Sequence, residues 1–331
     1  MKRIICFVLC AMAALLVCAC NNTNEVSSTP TQVQRVETLP QQTADSVAPT
    51  ENGDSLSLKS FINSFDTTPT VTEKEKLYDD NNLSVTLKGI DYTAVSGPEL
   101  LLNIENKINK EIVVQSPYAI VNDYMITPEM NVKIDAAKNR DCSLTLPYFN
   151  LAISNITSLK KIEFSLRIVE ATTHNPIMKT DLITVKTSAK QEENPETDES
   201  GQIAYDANDI KIIFKGVNTD RAYSDGAELM VYMYNGTDKN IAVRTENVIV
   251  NGCDMTSAMN STILPDKRAV DVVTFYKLDM EEFGIEEIDS VKVSFTIKDA
   301  DNWETIDSTD LISVTLPEKV TEPASADEQV K

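Results

Sequence analysis

The segment DADNWETID, Asp299 to Asp307, gathers Asp299, Asp301, Asn302 and Glu304 into one short stretch. Oxygen ligands at this density suit a hard cation, and calcium takes about six or more of them in one place. The stretch lacks the glycine of an EF-hand loop and has no flanking helix pair, so it reads either as a weak calcium loop or as an ordinary acidic turn. Trp303 lies inside it, while Tyr232 and Tyr234 alternate with Val231 and Met233. These three aromatics are the candidate ligand-binding residues, the tyrosines reading either as a strip on an outer sheet face or as the finish of a core edge.

Other chemistry is thin. His174 is the one histidine of the chain, which excludes Ser-His-Asp and Cys-His machinery and any multi-histidine metal site in a monomer. Gly-rich phosphate loops, HExxH, GxSxG and an exported CxxC are absent from the sequence. Glycoside hydrolysis needs only two carboxylates, and 51 acidic residues leave a cell-wall hydrolase open. The segments are too short to wall a deep cleft, however, so the reading is non-catalytic with no cofactor.

Met1, Lys2 and Arg3 precede an apolar run from Ile4 to Val17, too short to span a bilayer comfortably and typical of an export signal. The run ends Val17-Cys18-Ala19-Cys20. This resembles the lipobox of bacterial lipoproteins, and the resemblance implies cleavage after residue 19 and a diacylglyceryl group on the sulfur of Cys20. Two acyl chains would hold such a protein firmly at the extracytoplasmic face of the cell membrane. Cys6, Cys10 and Cys18 leave with the signal, and Cys142 and Cys253 remain at positions that do not correspond, so no disulfide framework is expected.

The net charge of −21 repels phosphates and anionic headgroups, which excludes nucleic acid as a partner. An envelope protein or a glycan is the expected partner instead. Residues 20–76 form a polar tether rich in Asn, Thr, Ser and Pro; counted to residue 72, it spans roughly 40 Å as a flexible coil. Within it Leu58, Phe61, Ile62 and Phe65 recur at helical spacing, so a short amphipathic helix is predicted over 55–66, behind Asp54 as a cap.

Internal repetition dominates the remainder. YDDNNLSVTLKGI from Tyr78 returns as YDANDIKIIFKGV from Tyr205, and GPELLLNIENKINKEIVV from Gly97 returns as GAELMVYMYNGTDKNIAV from Gly226. From there the register holds without a gap at a shift of 129, with Asn122 on Asn251, Lys138 on Lys267 and TDLITV on TDLISV. The divisions are a signal peptide 1–19, the tether 20–76, a first repeat 77–187, an acidic linker 188–203, a second repeat 204–316 and a tail 317–331.

Within each repeat the apolar period is two. Ile162, Phe164, Leu166 and Ile168 alternate with polar residues, as do Val291, Val293, Phe295 and Ile297. One helical turn is expected after Phe149 and after Leu278, stopped at Asn155 and Gly284. Seven or so short strands per repeat predict an all-β chain of two tandem antiparallel sandwiches. The lipobox, the Thr/Ser/Pro-rich tether and the repeated Tyr-Asp-x-Asn opening (Tyr78, Asp79, Asn81; Tyr205, Asp206, Asn208) resemble the Gram-positive bacterial lipoproteins with tandem immunoglobulin-like (telokin-like) extracytoplasmic domains. That resemblance implies an acidic, membrane-anchored envelope protein with immunoglobulin-like repeats.

Overall fold

Alternating apolar residues become strands because burying each aliphatic side chain stabilises by about 1.5–3 kcal/mol while the polar neighbours stay wet. In the computed structural model the described residues are 58–190, 197–218, 226–257 and 259–316. Cys20, the signal segment, the tether up to residue 57, part of the linker and the tail 317–331 lie outside them. No helix among the described residues is long and apolar enough to cross a membrane.

The chain is predominantly β with antiparallel sheets. It begins with α1 (Leu58–Ser64) and then forms β1 (Lys76–Asp79), β2 (Leu83–Asp91), β3 (Glu99–Asn106), β4 (Ile112–Gln115), β5 (Ala119–Val121) and β6 (Tyr124–Ile126). There follow β7 (Asn131–Ile134), β8 (Asn139–Thr145), α2 (Tyr148–Ile153), β9 (Lys161–Phe164), β10 (Arg167–Glu170), β11 (Pro176–Lys179) and β12 (Ile183–Lys186). The second half contains β13 (Gln202–Ala207), β14 (Ile210–Asn218), β15 (Gly226–Asn235), β16 (Ile241–Val250), β17 (Cys253–Asp254) and β18 (Asn260–Ile263). It closes with β19 (Lys267–Tyr276), α3 (Lys277–Glu282), β20 (Val291–Asp299), β21 (Thr305–Ser308) and β22 (Ile312–Ser313).

In the first half the sheet β1-β2-β3-β8 faces strands β4, β5, β9 and β10 across a sandwich-like core that includes Leu83, Leu102, Ile112, Phe164 and Ile168. In the second half β13-β14-β15-β19 faces β16 and β20 across Ile212, Val231, Phe275 and Phe295. The outer face of β20 is drier than alternation predicts, since Ser294 and Thr296 are buried. Asn247 donates to Ser294 Oγ at 2.9 Å and Thr296 donates to Glu246 at 2.7 Å, which satisfies them there.

The two halves repeat one another down to single hydrogen bonds. Asn122 accepts from the Lys160 and Lys161 amides and donates to Ser158 O; Asn251, 129 residues on, accepts from Asp289 and Ser290 and donates to Glu287 O. A Cβ on Gly97 would lie 2.0 Å from Leu146 O, and one on Gly226 would lie 1.9 Å from Phe275 O, so glycine is required where the chain enters β3 and β15. Asn155 and Gly284 take positive φ, 52° and 65°, just past α2 and α3. Left-handed residues there end both helical turns as the spacing predicts.

One residue separates the halves in form. Pro117 has no N–H for a ladder and divides β4 from β5, whereas Glu246 at the corresponding position lets β16 run on with only a bulge between Thr245 and Asn247. The detached ribbon β12-β9-β5-β6 then meets β19, with Tyr124 opposite Arg268 and Met125 opposite Ala269 in a parallel pair. An eight-stranded sheet therefore runs through both halves, and Ile120 and Met125 from the first half lie in the second core.

The tether is shorter than read from sequence. Phe61 and Phe65 are buried in the first core, Thr70 and Ser188 exchange bonds, and Lys74 N donates to Leu87 O at 2.7 Å. Residues 58–76 thus belong to the first half, because the aromatic face of α1 has a core to join. The far end of the linker is fastened too, Asp198 to Lys215 and Glu199 to Lys211.

Candidate functional site

The acidic loop joins β20 to β21. Asp299 Oδ1 accepts the Asp301 amide at 3.0 Å and the Asn302 amide at 3.4 Å, and its Oδ2 pairs with Lys239 at 3.4 Å. The Asp301 N–H, with these other donors, holds the Asp299 carboxyl below its usual range. Asp301 accepts from Asn240, and Asn302 Oδ1 accepts the Glu304 amide at 2.9 Å. Asp299, Asp301 and Asn302 therefore direct side-chain oxygens at their own turn and its neighbours, and no group of three or more acidic, Cys or His residues is arranged around a metal position among the described residues. The first half makes the same turn with Glu170 in place of Asp299 and without the other acids: His174 N donates to Glu170 O and Trp303 N to Asp299 O, both at 2.8 Å, with φ of 58° and 64°. His174 and Trp303 are thus equivalent turn residues, and Trp303 is 52% exposed.

The tyrosine strip is closed. Tyr232 is 1% exposed, its hydroxyl 3.4 Å from Glu199 Oε1, and burial pushes its phenol far up. Arg268 lies 5.2 Å above the Tyr234 ring. Glu199 of the linker and Arg268 of β19 lie against these rings, Tyr232 buried and Tyr234 half-buried, which fits the core-edge reading and not the open strip. The site around them is instead a seam between halves: Asp123 Oδ1 lies 2.6 Å from Lys267 Nζ and 2.9 Å from Lys161 Nζ, with Glu163 3.1 Å from Lys161.

An open concavity lies elsewhere. A cleft of about 320 Å³ beside α3 is lined by Asn251, Cys253, Phe283, Gly284, Ile285, Glu286, Glu287 and Asp289. Its apolar wall comes from residues the alternation does not mark, because they follow a helical turn in a loop. The signal was a substitution between copies: Ser154 is buried at 6%, while Phe283, 129 residues later, is 46% exposed. Leu278 on α3 is 78% exposed and Tyr276 before it 47%.

Nucleophilic chemistry finds little support in the described groups. Burial, reinforced by Asp141, pushes the Cys142 thiol up to about 11. Asp271 on β19, half-buried, is the one acid with a raised pKa among the described residues, driven by desolvation, and Ser261 donates to its Oδ2. Val132 and Cys142 stand at the corresponding places in the first half, so this pair is particular to the second.

No family model and no curated protein matches the sequence. Among solved structures, the YadV chaperone is similar at 15% identity and a TM-score of 0.22, over 65% of this chain and 92% of that one. A Porphyromonas gingivalis protein of unknown function is similar at 12% identity and a TM-score of 0.21, over 71% of this chain and 97% of that one.

Proposed function

We propose that this chain is an extracytoplasmic lipoprotein, acylated on Cys20, whose two tandem immunoglobulin-like sandwiches present interaction surfaces at the cell envelope and turn over no substrate. The observation that carries the non-catalytic part is the eight-stranded sheet shared by the halves. Joining the sheets and burying Tyr232 in the seam suits a body that presents surfaces in fixed relation. Val17-Cys18-Ala19-Cys20 behind a basic start supports the anchor, and the polar residues up to 57 supply a tether. The likeness to Gram-positive lipoproteins with telokin-like domains supports the same location.

Mass spectrometry of the native N-terminal peptide tests the anchor: a diacylglyceryl cysteine is expected, and Cys20→Ala should release the protein from membranes. An unmodified terminus in membrane-bound native protein overturns it. Incubating the exported protein with purified cell wall tests the other half. Release of soluble wall fragments that disappears on substitution of particular carboxylates would make the protein a hydrolase.

A further inference from the structure

The junction between the halves joins two unlike surfaces of one repeated module. The first half contributes β6, at the outer edge of its ribbon β12-β9-β5-β6, and the second contributes β19, at the edge of β13-β14-β15-β19. They meet in parallel, Arg268 N donating to Asp123 O at 3.1 Å, with Tyr124 opposite Arg268 and Met125 opposite Ala269. A head-to-tail contact of this kind leaves one unused partner surface at each end of the pair.

Both surfaces are present. β17 repeats β6: Val250 lies opposite Cys253 and Ile249 opposite Asp254, as Val121 lies opposite Tyr124 and Ile120 opposite Met125. It ends the order β17-β16-β20-β21, with no strand on its outer side among the described residues. β8 repeats β19: Asn103 on Asp141 and Glu105 on Asn139 match Tyr232 on Val270 and Tyr234 on Arg268. It ends the order β1-β2-β3-β8, and the bridge between Glu129 and Thr145 on its outer side lies at the end away from Asn139. Placing β17 of one copy on β8 of another in the register of the seam sets Cys253 opposite Asn139 and Asp254 opposite Arg140.

Charge selects this occupant. Asp254 and Arg140 are both exposed and carry opposite charges where the seam has the apolar Met125 and Ala269. Arg140 donates through NH1 to Lys133 O at 2.8 Å, which takes one of the five donors of a guanidinium. The half-buried Ile249 repeats Ile120, the residue that crosses into the opposite core at the seam. Lys138 stands where Lys267 meets Asp123, and Gly252 stands in the place of Asp123. We infer that the partner of these two edges is a second copy of this chain: β17 of one copy pairs in parallel with β8 of the next, so that copies join head to tail as the halves do. This names a partner for the chain read as an interaction protein, and it rests on that reading.

The test uses the exported chain, residues 20–331, with Cys20→Ala, which leaves Cys142 and Cys253 as its cysteines. Directly opposed residues of paired strands lie within disulfide reach. One sample keeps Cys253, and the other has Asn139→Cys together with Cys253→Ser. Mixed under mild oxidation, they are expected to give a disulfide-linked dimer about tenfold more abundant than either sample alone gives. The same excess is expected over a mixture in which Asp141→Cys replaces Asn139→Cys, since two residues along a strand is roughly 6.6 Å out of register.

Sedimentation velocity reads the contact without engineered cysteines. Asp254→Arg or Arg140→Asp alone should weaken association by about tenfold or more, and the two combined should restore it. Gly252→Asp, at a φ of 83° with open space around a Cβ, puts a carboxylate opposite Lys138 and should tighten association about two- to fivefold, the worth of a partly exposed ion pair. The inference fails if the mixture crosslinks no more than the Asp141→Cys control, or if association survives both single charge reversals. It fails also if the Gly252→Asp protein stays monomeric at every concentration, which would make Asp254 and Arg140 charged ends that stop the sheet from growing. Every arm uses unacylated protein without cell wall, so failure here is distinct from failure of the anchor or of the non-catalytic reading.

Discussion

Lys267 Nζ lies 2.6 Å from Asp123 Oδ1, joining the start of β19 in the second half to the turn between β5 and β6 in the first. The turn residues Asn122 and Asp123 both have positive φ, 50° and 70°, and the equivalent pair is Asn251 and Gly252 at 49° and 83°. Asp123 thus occupies a backbone position suited to glycine. Its side chain links the halves.

Asp123→Gly separates the two roles. Burial opposes ionisation of Asp123, but the ammoniums of Lys267 and Lys161 outweigh it and hold the carboxyl below its ordinary 3.8. A lowered folded pKa contributes stability that is present above the unfolded value and is lost as pH falls through the folded one. The glycine variant should lose less than about 1 kcal/mol at neutral pH, since the pair is partly exposed, and its midpoint should fall less steeply than the native one below a pH of about 3.8. Thermal unfolding across that range checks it; identical acid sensitivity removes Asp123 as the cause.

Ile120 is fully buried in the core of the opposite half. Ile120→Ala should cost about 2–5 kcal/mol and destabilise residues of β19 and β15 along with those of β5. Hydrogen exchange resolved by segment reads this. Faster exchange confined to the first half would mean that the shared sheet does not couple the two.

What could be read from the chain before its fold followed from periodicity. Phe164, Ile168, Val293 and Phe295 fall on the core side because a strand has period two and each repeat has enough apolar residues to fill one face. The seam had no such signal. Its parallel pairing involves only Tyr124 with Arg268 and Met125 with Ala269, and Asp123 acquires its partner from residue 267, across a long stretch of chain. Alternation leaves Tyr232 open between an outer strip and a core edge, because nothing in its own strand shows that Glu199 and Arg268 lie beside it. The cleft is legible only as a difference between copies, Ser154 against Phe283, since alternation says nothing of residues that follow a helical turn in a loop.

Asn235 is fully buried, and its amide donates to Lys239 O at 2.7 Å and to Ile263 O at 2.9 Å while Oδ1 accepts the Thr237 amide at 3.0 Å. Asn106 makes the same set in the first half, to Lys110 O, Ile134 O and the Ile108 amide. Asn235→Ala leaves a buried carbonyl without this donor and should cost at least about 2 kcal/mol, and Asn235→Asp should cost more, since a carboxylate has no N–H for Lys239 O and Ile263 O. Denaturant midpoints of the two variants decide it. An aspartate variant as stable as the native protein would show that the carbonyls find other donors.

Asp271 carries the opposite sign to Asp123. Burial raises its carboxyl above 3.8 despite the Ser261 hydroxyl and the Val272 amide at 2.8 Å. The folded protein then holds that proton more tightly than the unfolded chain, so its stabilising effect is complete below 3.8 and is lost as pH rises through the folded value. Asp271→Asn keeps an oxygen for the Val272 amide and gives Ser261 Oγ a donor, with no charge to desolvate. Its thermal midpoint should exceed that of the native protein by a few degrees at neutral pH, as about 1 kcal/mol would produce in a chain of this size, and the gain should vanish at acid pH. An increment independent of pH would mean that the substitution acts through packing, because removing a buried charge can help only where the native residue is charged.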